Sequence, residues 1–354
     1  MIVNRINLLN CLQSVIKVIP QKGSIPTLTG VALLAENGPL SARGTDLERG
    51  MEVRWCACQG EIKTVLPARL LLDIISKCSG SNVEINIQDN TAEIHCGNSH
   101  YKISAMNYED YPVFPEIKAE PFIIPLAEFK KAIEKVIFAV SQDQTRGALT
   151  GLCLNLENKS LSATNGFMFS EVQNLNANGK GSFILPFKTA KELLELNGDN
   201  LEVKLGEGQV EFITGNIRLY SRLIEGEFPN TEGLISEEYE NIFYFNYEPL
   251  FDAIKRINII KPESVLFNLK EKTFYAESPE CGSVQEYIEF WYEKEGTLER
   301  FAFNPKFLIE PLSRMESGQV LIKANGEIKP IVIEERGNKD WKYLFMPLKA
   351  NEED

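Results

Sequence analysis

Leu8-Leu9-Asn10-Cys11-Leu12-Gln13-Ser14-Val15 places Leu8, Leu12 and Val15 at i, i+4 and i+7, the spacing of one buried helix face. A shift of 121 residues lands on Phe129, Ile133 and Val136, and a second shift of 121 lands on Leu250, Ile254 and Ile257. All nine positions are apolar, so the chain writes the same helix three times.

A second series keeps the period. Pro67, Pro186 and Pro305 stand 119 residues apart, each before an apolar-periodic stretch, where proline suits a first helical turn. Behind them Leu71, Ala190 and Ile309 align, as do Ile74, Leu193 and Leu312. Alternation follows at Val83, Ile85, Ile87, at Leu201, Val203, Leu205 and at Val320, Ile322, which predicts strands. Gly44-Thr45-Asp46 and Ala163-Thr164-Asn165, again 119 apart, predict equivalent strand-to-turn corners. The fold class is therefore α+β: three tandem homologous units of about 118 residues, each with two helices and many strands. Boundaries at 1–120, 121–240 and 241–354 fall in Phe114–Pro121 and Ser236–Glu240, rich in proline or acid as linkers are. Three units are few for an open solenoid, and closure with a partner chain is the alternative.

At 354 residues, 44% hydrophobic and 25% charged, the composition is that of an ordinary globular protein. No apolar run approaches the roughly 18 residues of a membrane span, and Arg5 with Asn4, Asn7 and Asn10 interrupts any signal-peptide core. Seven scattered cysteines without a C-x-x-C read as reduced thiols, so the expected location is the cytoplasm, without membrane contact.

Reactive chemistry is sparse. The two histidines, His95 and His100, lack an H-E-x-x-H or H-x-E context, Cys56-x-Cys58 has no second pair, and no phosphate-cradling glycine loop occurs. The expectation is no catalytic residue, no metal and no cofactor. Gly206-Glu207-Gly208 reads as a hairpin turn.

Net charge of −13 argues superficially against a nucleic-acid partner, but the charge is unevenly spread. The helix-bearing segments together net +8, which leaves −21 elsewhere. Lysines on helix surfaces are commonly just solvated. If the helices line one surface, however, Lys17, Lys22, Arg69, Lys77, Lys130, Lys131, Lys135, Arg146, Lys188, Lys191, Lys255, Arg256, Lys261, Lys306 and Arg314 converge as a basic channel that attracts phosphate without reading sequence.

Ile25-Pro26-Thr27-Leu28, Gly44-Thr45-Asp46-Leu47-Glu48, Leu66-Pro67-Ala68-Arg69, Ala163-Thr164-Asn165-Gly166, Gly226-Glu227-Phe228-Pro229, Phe303-Asn304 and Tyr343-Leu344-Phe345-Met346-Pro347-Leu348 recur in this order and spacing in a known family. Across its full length the chain resembles the bacterial DNA polymerase III β subunit, the replicative sliding clamp. The resemblance implies a head-to-tail homodimer whose six domains close a ring around duplex DNA, tethering a polymerase for processive synthesis without catalysis. The implied partners are double-stranded DNA, a second copy, the DNA polymerase III α subunit, the clamp loader, and other polymerases and repair factors carrying clamp-binding peptides.

The resemblance also implies sites. Lys22, Arg69 and Arg146 fall at DNA-facing basic positions, although two aromatic positions after Arg146 are Gly147 and Ala148 here. Leu149, Thr164, Gly166, Phe167, Met168, Phe169, Pro229, Leu234, Asn304, Phe307, Leu344, Phe345, Met346, Pro347 and Leu348 match a peptide-binding cleft, and each apolar one taken alone reads equally as core. Phe167, Met168 and Gly233 stand where His, Arg and Arg are frequent, which makes the cleft more apolar. Tyr101 and Ile103 align with one side of the dimer seam, and Ile259 and Ile260 with the other. The chain runs past Leu348 into an acidic tail, Lys349–Asp354, expected either to shield the cleft or to stay disordered. The alternative is a secondary clamp paralogue acting chiefly as a peptide-docking scaffold in repair.

Overall fold

Each repeat opens with a strand that runs directly into a helix. In the first, β1 (Ile2–Asn4) leads into α1 (Arg5–Val15), whose first turn is capped by the Asn4 side chain accepting from the amides of Ile6 and Asn7. Then come β2 (Gly30–Ala35), β3 (Pro39–Thr45), β4 (Arg49–Ala57), β5 (Ile62–Pro67), α2 (Ala68–Lys77), β6 (Asn82–Gln88), β7 (Thr91–Cys96) and β8 (Ser99–Ser104).

The second repeat gives β9 (Phe122–Pro125), α3 (Leu126–Val136), β10 (Gly151–Asn155), β11 (Ser160–Thr164), β12 (Met168–Val172), β13 (Ser182–Pro186), α4 (Phe187–Leu194), β14 (Asn200–Gly206), β15 (Gln209–Thr214) and β16 (Ile217–Arg222). The third gives β17 (Asn241–Asn246), α5 (Tyr247–Ile257), β18 (Val265–Asn268), β19 (Thr273–Ser278), β20 (Gly282–Tyr287), an added β21 (Trp291–Lys294), β22 (Arg300–Phe303), α6 (Lys306–Leu312), β23 (Gln319–Ala324), β24 (Ile331–Glu335) and β25 (Trp341–Phe345). The computed structural model describes residues 1–23, 25–36, 39–315 and 318–349, and of Cys56 and Ala57 the backbone alone. The Cys56 thiol and the tail residues Ala350–Asp354 thus lie outside the described residues.

The nine helix positions that carry the 121-residue period are all at most 2% exposed. Helix α1, α3 and α5 each continue into a three-residue 3-10 turn, at Ile16–Val18, Ile137–Ala139 and Asn258–Ile260. Pro67, Pro186 and Pro305 each sit where a strand hands over to a helix. Ile309 departs from its series: it is half-buried while Leu71 and Ala190 are fully buried, on a helix that Pro311 confines to seven residues. Gly206 and Gln209 pair across the predicted hairpin turn, with Gly208 at φ +65°.

The chain folds as two compact units that do not follow the repeats. Met1–Ala127 and Lys191–Leu223 make the first, Glu128–Ala190 and the chain from Ile224 onward the second. In the first unit a four-stranded sheet runs β1-β6-β7-β8 and an eight-stranded sheet runs β5-β2-β3-β4-β16-β15-β14-β9. In the second, a nine-stranded sheet runs β13-β10-β11-β12-β25-β24-β23-β17-β21 beside a four-stranded β20-β19-β18-β22. All pairings are antiparallel. The middle repeat is shared between units, and each large sheet crosses a repeat boundary.

The stretches read as linkers are largely exposed but each is anchored by buried side chains. Phe114 and Ile117 are buried in the first unit; a Cβ on Gly50 would stand 2.7 Å from the Phe114 ring, so the seat for that ring requires glycine. Tyr239 is buried in the second unit, joining Phe169, Val332 and Leu344. Among the described residues the cysteines are free thiols, and no helix is long and apolar enough to cross a membrane.

Candidate functional site

The β11–β12 corner shapes one end of the expected cleft. The Thr164 hydroxyl donates to the Met168 carbonyl at 2.6 Å and accepts from the Gly166 amide at 3.1 Å. The Asn165 side chain accepts from the amides of Phe167 and Met168, both at 2.9 Å. Gly166 completes the turn at φ +88°, a conformation that favours glycine. This corner is the same device as its echo in the first repeat, where Thr45 and Asp46 bind the turn and Leu47 carries the positive φ of +75°. Its product is a Phe167 side chain left 57% exposed.

Around Phe167 the expected residues sort into buried and exposed, and strand alternation divides the buried ones between two faces, Phe169 and Leu344 on one and Met168 and Phe345 on the other. Thr164, Met168, Phe169, Leu344 and Phe345 are buried, with Phe169 opposite Leu344 and Met168 opposite Phe345 in the β12–β25 ladder. Phe167, Leu234 and Leu348 are exposed, and Leu149, Phe307, Met346 and Pro347 are half-buried. The Met346 amide donates to the Phe167 carbonyl at 2.8 Å and the Leu348 amide to the Ala302 carbonyl at 2.7 Å, so the Met346–Leu348 segment is held at both ends. Phe307 rests on Phe345 with centroids 5.8 Å apart. Asn304 instead turns its side chain onto the backbone just ahead of α6, accepting from the Lys306 amide at 3.0 Å. Pro229 is exposed on the segment that follows Gly226, whose backbone passes close to Ala148.

A cavity of about 980 Å³ adjoins this surface and shares Phe169 alone with the expected set. Its apolar wall is Phe169, Ile235, Tyr239 and Ile242, and its polar wall includes Glu171, Lys323, Glu334 and Lys342. Burial raises the pKa of the Tyr239 phenol, and Lys323 stands 5.8 Å from its ring centroid. Sequence reading missed Ile235, Tyr239 and Ile242; their signal was an apolar residue at 235 and at 239 inside an acidic linker.

The basic residues divide in the same way. Lys22, in the loop after α1, and Arg69, in the first turn of α2, are exposed. The Arg146 guanidinium is exposed too, but it donates to the Asn165 carbonyl and lies 5.8 Å from the Phe167 ring centroid, so it supports the cleft corner. Thr145 holds the neighbouring Asp143 carboxyl below its usual range through hydroxyl and amide hydrogen bonds. Lys135 and Arg256 are among the basic residues that hold an acidic partner: Lys135 sits 3.8 Å from Glu335 and over Trp341, and Arg256 makes two 2.8 Å bonds to Glu286.

The expected seam residues occupy sheet edges. Tyr101 and Ile103 lie on β8, the end of the first unit's small sheet, with Tyr101 36% exposed. Ile259 and Ile260 lie on the 3-10 turn that packs on β20, the end of the second unit's small sheet, and Ile259 is 74% exposed. Tyr287, on β20 and 66% exposed, belongs to the same apolar edge and was not foreseen.

Three family models match successive parts of the chain, all for the DNA polymerase III beta subunit: the N-terminal domain over residues 1–115, the central domain over 123–230 and the C-terminal domain over 232–349. The beta sliding clamp of Staphylococcus aureus is 26% identical over 363 residues, covering 96% of each chain. Among solved structures, the β subunit of Streptococcus pyogenes DNA polymerase superposes with a TM-score of 0.93 at 22% identity, and a Pseudomonas aeruginosa sliding clamp bound to griselimycin with 0.92 at 24%; each covers 99% of both chains.

Proposed function

We propose that this chain, which belongs to the bacterial DNA polymerase III β-subunit family, is a sliding clamp whose two copies close head to tail into a ring on duplex DNA. One observation carries the ring. The fourth strand of the first repeat, β4, pairs with the last strand of the second, β16, and the fourth strand of the second, β12, pairs with the last strand of the third, β25. By the same rule the fourth strand of the third repeat, β20, awaits a last strand, and β8, the last strand of the first repeat, awaits a fourth. Each has one sheet neighbour among the described residues. A second copy supplies both at once, through two equivalent head-to-tail seams in which Tyr101 and Ile103 meet Ile259, Ile260 and Tyr287.

In such a ring the loop after α1 carries Lys22 and the first turn of α2 carries Arg69 toward phosphate, and binding is by topology and unspecific charge rather than by base contacts. The groove under Phe167 receives short peptides with aromatic and leucine anchors, of the kind polymerases, a clamp loader and repair factors would present. The chain then works without catalysis or cofactor, in the cytoplasm with the nucleoid, as three domains bounded near residues 120 and 240.

The test is retention on nicked circular DNA. Native protein is expected to stay on circles after loading and to run off when they are linearised; an Ile259→Asp/Ile260→Asp variant is expected to be monomeric by light scattering and never retained. Equal retention on circular and linear DNA would overturn the ring and leave the docking-scaffold reading.

A further inference from the structure

We propose that Glu93, His95 and His100 form a binding site for a divalent transition-metal ion of the zinc class, on the solvent-facing side of the β1-β6-β7-β8 sheet. The chain has two histidines, and folding brings both together. His95 and His100 are direct cross-strand partners in the β7–β8 hairpin, with rings stacked 4.1 Å apart at 8°. Glu93 lies two residues before His95, which in a strand means the same face. One ligand atom from each of the three residues lies within 4.8 Å of the others.

The donor set chooses the ion. Two imidazoles and one carboxylate suit zinc and its neighbours among the transition metals, whereas magnesium and calcium take oxygen cages. Zinc bonds of about 2.0–2.2 Å put tetrahedral donors about 3.3 Å apart, so the three side chains close inward by about 1.5 Å. Both imidazoles are exposed and Glu93 is half-buried, leaving room for that rotation, in which the stacked rings tilt open toward the ion. The hairpin beneath is fixed by ladder pairs from Thr91–Ser104 to Cys96–Ser99 and by Gly97 at φ +60°.

Two neighbours modulate the site. Lys102 faces Glu93 across the hairpin at 3.4 Å, in an exposed ion pair of the kind that costs little to break. Glu84 faces His95 from β6 and carries Asn86 on its carboxylate at 2.9 Å, adding negative charge on the other side. Three protein donors leave a coordination position open to water. The ion would clasp β7 to the edge strand β8, and this assignment stands whether or not the ring closes.

Calorimetric titration of Zn²⁺ into the full chain decides it. Native protein is expected to bind one ion per chain at this site with a micromolar dissociation constant. His95→Ala/His100→Ala is expected to lower that affinity at least tenfold, and the conservative His100→Gln to reproduce the loss with an unchanged melting temperature in metal-free buffer. Saturating Zn²⁺ is expected to raise the melting temperature of the native chain but not of the double variant. Because Cys58 is half-exposed and Cys281 exposed, the difference between native and variant is the reading. Equal binding by the double variant, or no binding by native protein at 100 μM Zn²⁺, would overturn the proposal.

Discussion

The two seams where one repeat's sheet joins the next use one backbone plan and opposite side-chain chemistry. Both are antiparallel ladders of five residue pairs, Arg49–Val53 against Ile217–Ser221 and Met168–Val172 against Trp341–Phe345. The first is centred on Glu52, which is 0% exposed. One of its carboxylate oxygens accepts from Ser41 at 2.8 Å, from Arg43 at 2.9 and 3.0 Å and from Arg54 at 3.2 Å. The other has no hydrogen bond and only Arg218 at 3.7 Å. Arg218 also donates to Glu211 and to the Pro115 carbonyl, so the linker to the second repeat is bound into the network. The second seam buries apolar and neutral groups where the first buries a charge, its Glu171–Lys342 pair lying only half-buried: Phe169, Tyr239, Val332 and Leu344 pack on one side, while on the other the Trp341 indole donates to Ser170 at 3.0 Å and Ser170 to the Lys135 carbonyl at 2.6 Å. A pairing register that serves as a joint does not dictate what fills it.

The contrast can be broken at three places. Glu52→Gln should cost about 3–5 kcal/mol in urea unfolding, because it strips the countercharge from Arg43 inside the sheet and leaves Arg218 with Glu211 alone. Burial opposes ionisation of Glu52, but Ser41, Arg43 and Arg54 outweigh it and hold its pKa below the ordinary value of 4.5. Its contribution is therefore complete above about pH 4.5 and lost as pH falls through the lower folded value, and the acid limb of stability should flatten in the variant. Leu344→Ala should cost about 2–4 kcal/mol by leaving a void against Phe169, with no added pH dependence. Ser170→Ala should cost about 1 kcal/mol, since it orphans the Trp341 indole but removes no charge. If the cost of Leu344→Ala changed with pH as steeply as the cost of Glu52→Gln, the division of chemistry between seams would fail.

Local spacing carried the repeat and its helices because a buried helix face is written in consecutive turns: Leu8, Phe129 and Leu250 are each fully buried as their period requires. The Thr45 and Thr164 corners were legible for the same reason, since the side chain and the amides it binds lie within four residues. The seams were not. Trp341 and Ser170 are 171 positions apart, and nothing in either stretch names the other. Arg146 was legible by its charge, but its hydrogen bond to the Asn165 carbonyl, 19 positions on, was not. His95 and His100 were set aside for want of a helical metal spacing, yet strand geometry makes residues five apart face each other across a tight turn.

Sharing the middle repeat between two units has a consequence for fragments. A polypeptide ending near residue 120 would keep its helices and its small sheet but present β4 as a bare edge, with Glu52 deprived of Arg218 and open to any strand in solution. The smallest self-sufficient pieces of this molecule are therefore not its genetic repeats, and dissecting it at the boundaries that homology suggests would yield sticky halves of joints rather than modules.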